Sequence, residues 1–203
     1  MQSIVRPKTL LELAGVTPAP SSLSQAALVV IDAQHEYLDG RLPLSGVQAA
    51  LGEIAALLAR ARKAGTPVIH VRHKGRPGGA FGPDTPGFAI VSQAAPQPDE
   101  RVIEKGLPNA FAGTELKAAL DALDRKEIVI AGFMTHMCVE ATARAAIDLG
   151  LKATVVAAAT ATRDLPDPLS GIAVPAAEVQ RNALAALNDR FAVIAADGSK
   201  VPD

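Results

Sequence analysis

The chain has 203 residues, 49% hydrophobic and 20% charged, with a formal net charge of −1, which suits one ordinary globular domain and leaves little for a second. The near-zero charge and scarce aromatics (five Phe, one Tyr, no Trp) argue against nucleic acid or an anionic membrane as partner, and no apolar run is long enough for a membrane span. A single cysteine excludes an internal disulfide framework and, with no signal-peptide pattern at the N-terminus, leads us to expect a cytoplasmic protein.

Residues 1–25 read as an arm and linker: Thr9 to Ala14 (TLLELA) can form a turn or two of helix, and Thr17 to Ser24 (TPAPSSLS) is an extended Pro/Ser-rich stretch. Such an arm either packs on a neighbouring subunit or hangs free. The domain proper spans 26–203. Its first strand is Ala26 to Ile31 (AALVVI), which ends at Asp32 and a polar run, Gln34–His35–Glu36. Gly46 to Gly65 has apolar residues at helical spacing and a basic last turn, hence an amphipathic helix closed by Gly65. Pro67 to Val71 is a second strand, in which His70 reads as a core or edge histidine.

From His73 to Pro98, Gly and Pro dominate, the mark of a long loop that walls or covers a pocket. Arg101 to Glu104 forms a short strand delivering Lys105, and Thr114 can cap a helix from Glu115 to Leu123. Ile128 to Ala131 is an apolar run suited to a strand buried on both faces, followed by a tight turn at Gly132. Cys138 then comes at a strand-to-helix handover, before a small-residue helix ending at Leu149–Gly150. Strand Ala153 to Ala158, loop Thr160 to Gly171, helix Ala176 to Leu187 and strand Ala192 to Ala195 complete the chain. Strands alternating with helices predict an α/β fold, a doubly wound and mainly parallel sheet of about six strands with helices on both faces.

Asp32, Lys105 and Cys138 thus each follow a strand, and in such a sheet the carboxyl ends of the strands share one edge, where sites form. A lone cysteine is more often a small buried hydrophobe, and a strand-end aspartate or lysine often only a cap or a solvated charge. Together the three are a coherent set: a nucleophile, a base, and a cation that stabilises both anions. Backbone N–H groups between Met134 and Cys138, near a helix N-terminus, could bind an oxyanion. Gly75, Gly78, Gly79 and Gly82 have neither the spacing nor the following helix of a phosphate-binding loop.

Three segments, ALVVIDAQHEY, VIEKGLPNAFAGTEL and IAGFMTHMCVEATARAAIDLG, resemble the isochorismatase-like superfamily of cysteine hydrolases, which includes nicotinamidases, N-carbamoylsarcosine amidohydrolases and isochorismatases. The resemblance covers about Gln25 to Ala195. It implies a catalytic triad of Asp32, Lys105 and Cys138, a non-proline cis peptide before Met134, an oxyanion site at the Met134 and Cys138 amides, and Gln34 and Phe111 lining the pocket. His136 and Glu140 flank the nucleophile without an assigned role. Self-association into a dimer or larger homo-oligomer is also implied.

The nicotinamidase branch carries an Asp-x-His metal pair after its second strand. Here His73 and Asp84 are present without that pattern, so the expectation is no metal, no other cofactor, and a small-molecule substrate other than nicotinamide. The expected reaction is cleavage of a C–N bond in a small amide, carbamoyl or lactam-like compound through a thioester. Two alternatives stay open: hydrolysis of an isochorismate-type vinyl ether without the cysteine, and a non-catalytic protein whose thiol senses redox state.

Overall fold

The structure, a computed structural model, describes residues 6–203. Six strands form one sheet: β1 (Ala26–Ile31), β2 (Val68–His73), β3 (Arg101–Lys105), β4 (Glu127–Phe133), β5 (Lys152–Ala161) and, last in the chain, β8 (Val193–Ala195). Their spatial order is β3-β2-β1-β4-β5-β8, and every pairing is parallel. Two further short strands, β6 (Leu165–Pro166) and β7 (Ala173–Val174), make a separate antiparallel hairpin. The helices are α1 (Leu10–Leu13), α2 (Val47–Lys63), α3 (Leu116–Ala122), α4 (Glu140–Asp148) and α5 (Ala176–Arg190). Among the described residues no helix is long and apolar enough to cross a membrane.

Strand periodicity divides the core in two. Leu28 and Val30 of β1 and Val129 and Ala131 of β4 pack with Leu51, Ile54 and Leu58 of α2. Their neighbours Ala27, Val29, Ile31, Ile128 and Ile130 face the opposite layer, with Leu116 and Leu120 of α3, Ala143 and Ala146 of α4 and Leu187 of α5. Side chains alternate faces along a strand, so the unbroken apolar runs feed both layers. The expected doubly wound α/β sandwich is the observed architecture.

Local differences follow from packing that periodicity does not carry. β2 continues to His73 and β5 to Ala161, and β5 takes up a register shift opposite Ile130 and Gly132. Gly132 is not a turn but part of β4; its φ is +118°, and a Cβ there would lie 1.9 Å from Ile31 O. β1 and β4 come together so closely at their ends that only glycine fits. From residue 6 onward the arm is tied to its own chain: a Thr9/Glu12 capping box starts α1, Leu10 N–H donates to Asp189 on α5 (2.8 Å), and Leu23 is wholly buried. The loop between Thr160 and Gly171 contains β6.

Candidate active site

Strand order reverses direction between β1 and β4, and the crevice at such a switch point lies at the carboxyl ends of the strands. Asp32 follows β1 with φ of 51°, a left-handed conformation that aspartate tolerates better than most residues. Lys105 is the last residue of β3, two strands away. After β4 the Phe133–Met134 peptide is cis, and Thr135–Val139 form one π-helical turn in which Val139 N–H donates to Met134 O (3.2 Å). This turn, which the sequence did not signal, carries Cys138 ahead of α4; such insertions recur at functional sites.

The three residues converge. Lys105 Nζ lies 2.7 Å from Asp32 Oδ2, both side chains fully buried, and donates to Cys138 Sγ at 3.2 Å. Its remaining neighbour is His73 Nδ1, also at 3.2 Å. The ammonium is close to Oδ2 but off the hydrogen-bonding direction, so neither Asp32 oxygen receives a directed hydrogen bond among the described residues. Burial pushes the Asp32 carboxyl up against the opposing pull of Lys105. Burial and then the Asp32 charge push the Cys138 thiol up to about 12, with Lys105 acting the other way. Both trends favour one shared proton over two anions beside a single cation.

The remaining expected residues have distinct placements. Gln34 is buried, and its side chain is fully engaged: Nε2 donates to His73 O (3.0 Å) and Phe88 O (2.9 Å), while Oε1 accepts from His73 N–H (2.7 Å). It fixes the end of β2 and the loop beyond. Phe111 is half-buried against the α3/α4 layer, and Met134 is buried at the edge of the other. The N–H of Met134 meets no acceptor among the described residues. His136 Nδ1 is 2.6 Å from Thr162 Oγ1, and Glu140 pairs with Arg144 along α4 (2.6 Å). Asp84 accepts from Gly78 N–H (2.8 Å) inside its own loop. No group of three or more His, Cys, Asp or Glu able to hold a metal occurs among the described residues.

Sequence reasoning missed two aromatic walls and a cation. Tyr37 packs edge-on against Phe81 (5.0 Å) and Phe133 (5.9 Å), and Phe81, from the long Gly/Pro loop, also meets the His73 ring (5.1 Å). That loop is a built wall held by the buried Glu36 carboxylate, which accepts from Phe81 N–H (3.2 Å) and Arg41 N–H (2.8 Å). Arg163, beyond β5, has a buried Nε without a partner and forms no ion pair with any described residue. Its charge acts on both Tyr37 and His136. The only signal in the sequence was its place in a strand-end loop. A hollow of about 530 Å³ lined by Leu11, Pro18, Lys152 and Phe191 lies at the opposite edge of the sheet and contains none of these groups.

Comparison with known proteins gives a consistent set. The isochorismatase domain family matches residues 26–197. The secreted isochorismatase effector Isc1 of Verticillium dahliae is 36% identical over 182 residues, covering 89% of this chain and 92% of its own. A streptothricin hydrolase of Streptomyces noursei is 38% identical over 169 residues, covering 83% of this chain and 61% of its own. A crystal structure of an isochorismatase from Pseudomonas putida KT2440 superposes with a TM-score of 0.92 at 42% identity, covering 97% of this chain and 100% of that one.

Proposed function

The chain belongs to the isochorismatase family of hydrolases, and from that premise we propose that it is a cysteine hydrolase cleaving a C–N bond in a small amide, carbamoyl or lactam-like substrate. The observation that carries this reading is the buried contact of one ammonium with both a carboxylate (2.7 Å) and a thiol (3.2 Å). In water a thiol and an aspartate are poorly matched for proton transfer. Here burial raises the carboxyl toward the thiol, making Asp32 a stronger base than a solvated aspartate, while Lys105 compensates whichever partner holds the negative charge.

Cys138 gives its proton to Asp32 as Sγ bonds to the substrate carbonyl carbon. The carbonyl oxygen takes the negative charge, and the unengaged Met134 N–H, with the Cys138 amide, is suited to receive it; one such donor contributes roughly 2.7–4 kcal/mol. As the C–N bond breaks, Asp32 returns the proton to the departing nitrogen, leaving a thioester. Water then attacks that thioester, losing a proton to Asp32, and Sγ leaves and is reprotonated. The Arg163 guanidinium, whose Nε has no partner and whose Nη1 reaches only the Asp164 carbonyl (3.2 Å), supports a substrate with an anionic group beyond its carbonyl. The streptothricin hydrolase at 38% identity fits hydrolysis of a small compound by this fold.

A second reading is supported by the relative named as an isochorismatase effector: vinyl-ether hydrolysis, with Asp32, its carboxyl held up by burial, protonating the substrate and Cys138 dispensable. Redox sensing would instead give no hydrolytic turnover on amides and a reversible sulfenic or mixed-disulfide adduct on Cys138. Turnover of Cys138→Ala on candidate amides and on a vinyl ether, with mass spectrometry for a covalent adduct on the parent, separates the readings. Loss of amide turnover together with an adduct on the parent is expected. Undiminished amide turnover in the variant rules out the thioester.

A further inference from the structure

We propose that His73 is a positioning residue for this site: its neutral imidazole accepts an N–H of Lys105 and so holds the ammonium between Asp32 and Cys138. The inference rests on the proposed thiol chemistry for its meaning, but on geometry for its argument. β2 lies between β3 and β1, so the Lys105 side chain must cross the end of β2 to reach Asp32, a width of about 10 Å for two strand spacings. His73 is the last residue of β2 and the register partner of Lys105. The chain therefore places an acceptor where the crossing cation passes.

An ammonium has three N–H groups and no acceptor capacity. Lys105 Nζ makes hydrogen bonds to Cys138 Sγ and His73 Nδ1 (3.2 Å each) and an ion-pair contact with Asp32 Oδ2 (2.7 Å). Buried donors left without partners are costly, so removing one of the three frees the ammonium to turn away from the other two. A cation 3.2 Å away requires the lone pair on Nδ1 and the proton on Nε2. Burial and the Lys105 charge both hold the imidazole down, to about 4, which keeps that lone pair free at neutral pH.

The His73 backbone is itself pinned. Both its N–H and its carbonyl bond to the Gln34 side chain (2.7 and 3.0 Å), the next residue's N–H bonds to Lys105 O (2.9 Å), and the ring rests edge-on against Phe81. The arrangement also speaks to the histidine's chemistry. With its Nδ1 lone pair facing an ammonium, His73 is turned to the triad and is poorly disposed to bind a cation through that nitrogen.

The test reads Cys138 directly, since it is the only cysteine of the chain. Iodoacetamide alkylation at neutral pH is compared in the parent, His73→Leu and His73→Asn. Asparagine keeps an acceptor at the branch point occupied by Nδ1, and leucine does not. We expect alkylation to slow about tenfold in His73→Leu and to return near the parent rate in His73→Asn, with kcat following the same pattern and KM little changed. An unchanged rate in His73→Leu, or an equal loss in His73→Asn, overturns the inference. If His73→Leu does not fold, ¹⁵N NMR of the parent decides: the inference requires a neutral ring protonated on Nε2, and an Nδ1-protonated or charged ring sinks it. Alkylation and NMR need no substrate. Loss of positioning with Cys138-dependent turnover intact would remove this inference alone, and confirmed positioning in a protein without hydrolytic turnover would remove only the function.

Discussion

At the start of β3, the buried Glu100 carboxylate accepts hydrogen bonds from Arg62 Nε and an Arg62 terminal nitrogen (both 2.8 Å), from Gln97 N–H (2.8 Å) and from His70 Nε2 (2.9 Å). At the end of the same strand, the Lys105 ammonium lies beside an Asp32 carboxylate that has no directed donor at either oxygen. Both clusters bury a carboxylate with a cation. Glu100 is held down to about 2, its donors outweighing burial, whereas burial pushes Asp32 up. Saturating a carboxylate with fixed donors makes it inert and structural; leaving its lone pairs free beside one mobile proton makes it a base. His70 accordingly serves the structural cluster and His73 the reactive one, although they are three positions apart on one strand.

Replacing each carboxyl by its amide tests that contrast. Asp32→Asn should reduce turnover on the order of 10⁴-fold, the scale of disabling the group that serves a nucleophile, as read by steady-state kinetics on a folded variant. Normal turnover in that variant would remove Asp32 as the base. Glu100→Gln should leave turnover per folded molecule unchanged and lower unfolding free energy by about 3 kcal/mol in urea titration. Equal damage to activity would mean that the two ends of β3 are not separable.

The two carboxyls should also pull stability in opposite directions with pH. Glu100 is depressed in the fold, so its contribution is complete above the ordinary carboxylate range and is lost as pH falls toward about 2. Asp32 is raised, so folding opposes its ionisation and its contribution declines as pH climbs through the range where it ionises in the unfolded chain. Urea midpoints of the parent and the two amide variants across acid pH measure both slopes. The smallest expected effect is at the rim. Arg163→Ala should raise KM about tenfold for an amide bearing a carboxylate and leave a neutral amide of similar size unaffected.

By itself the sequence determined the strands, the helices and the edge at which they deliver Asp32, Lys105 and Cys138, because apolar periodicity, glycine stops and strand-to-helix order are local properties of the chain. Similarity of three short segments to a known family supplied the pairing of those residues and the cis peptide before Met134, which is present. Only the tertiary structure decided what each polar group faces. Gln34, expected to line the pocket, holds His73 and Phe88 in place, His73, weighed only against a metal motif, meets the ammonium, and Arg163, which drew no reading, stands in no ion pair with a described residue and has a buried Nε without a partner. The reason is physical: a side chain's role in a buried site depends on how many of its hydrogen-bonding positions are already occupied, and the occupants come from strands and loops distant in the chain.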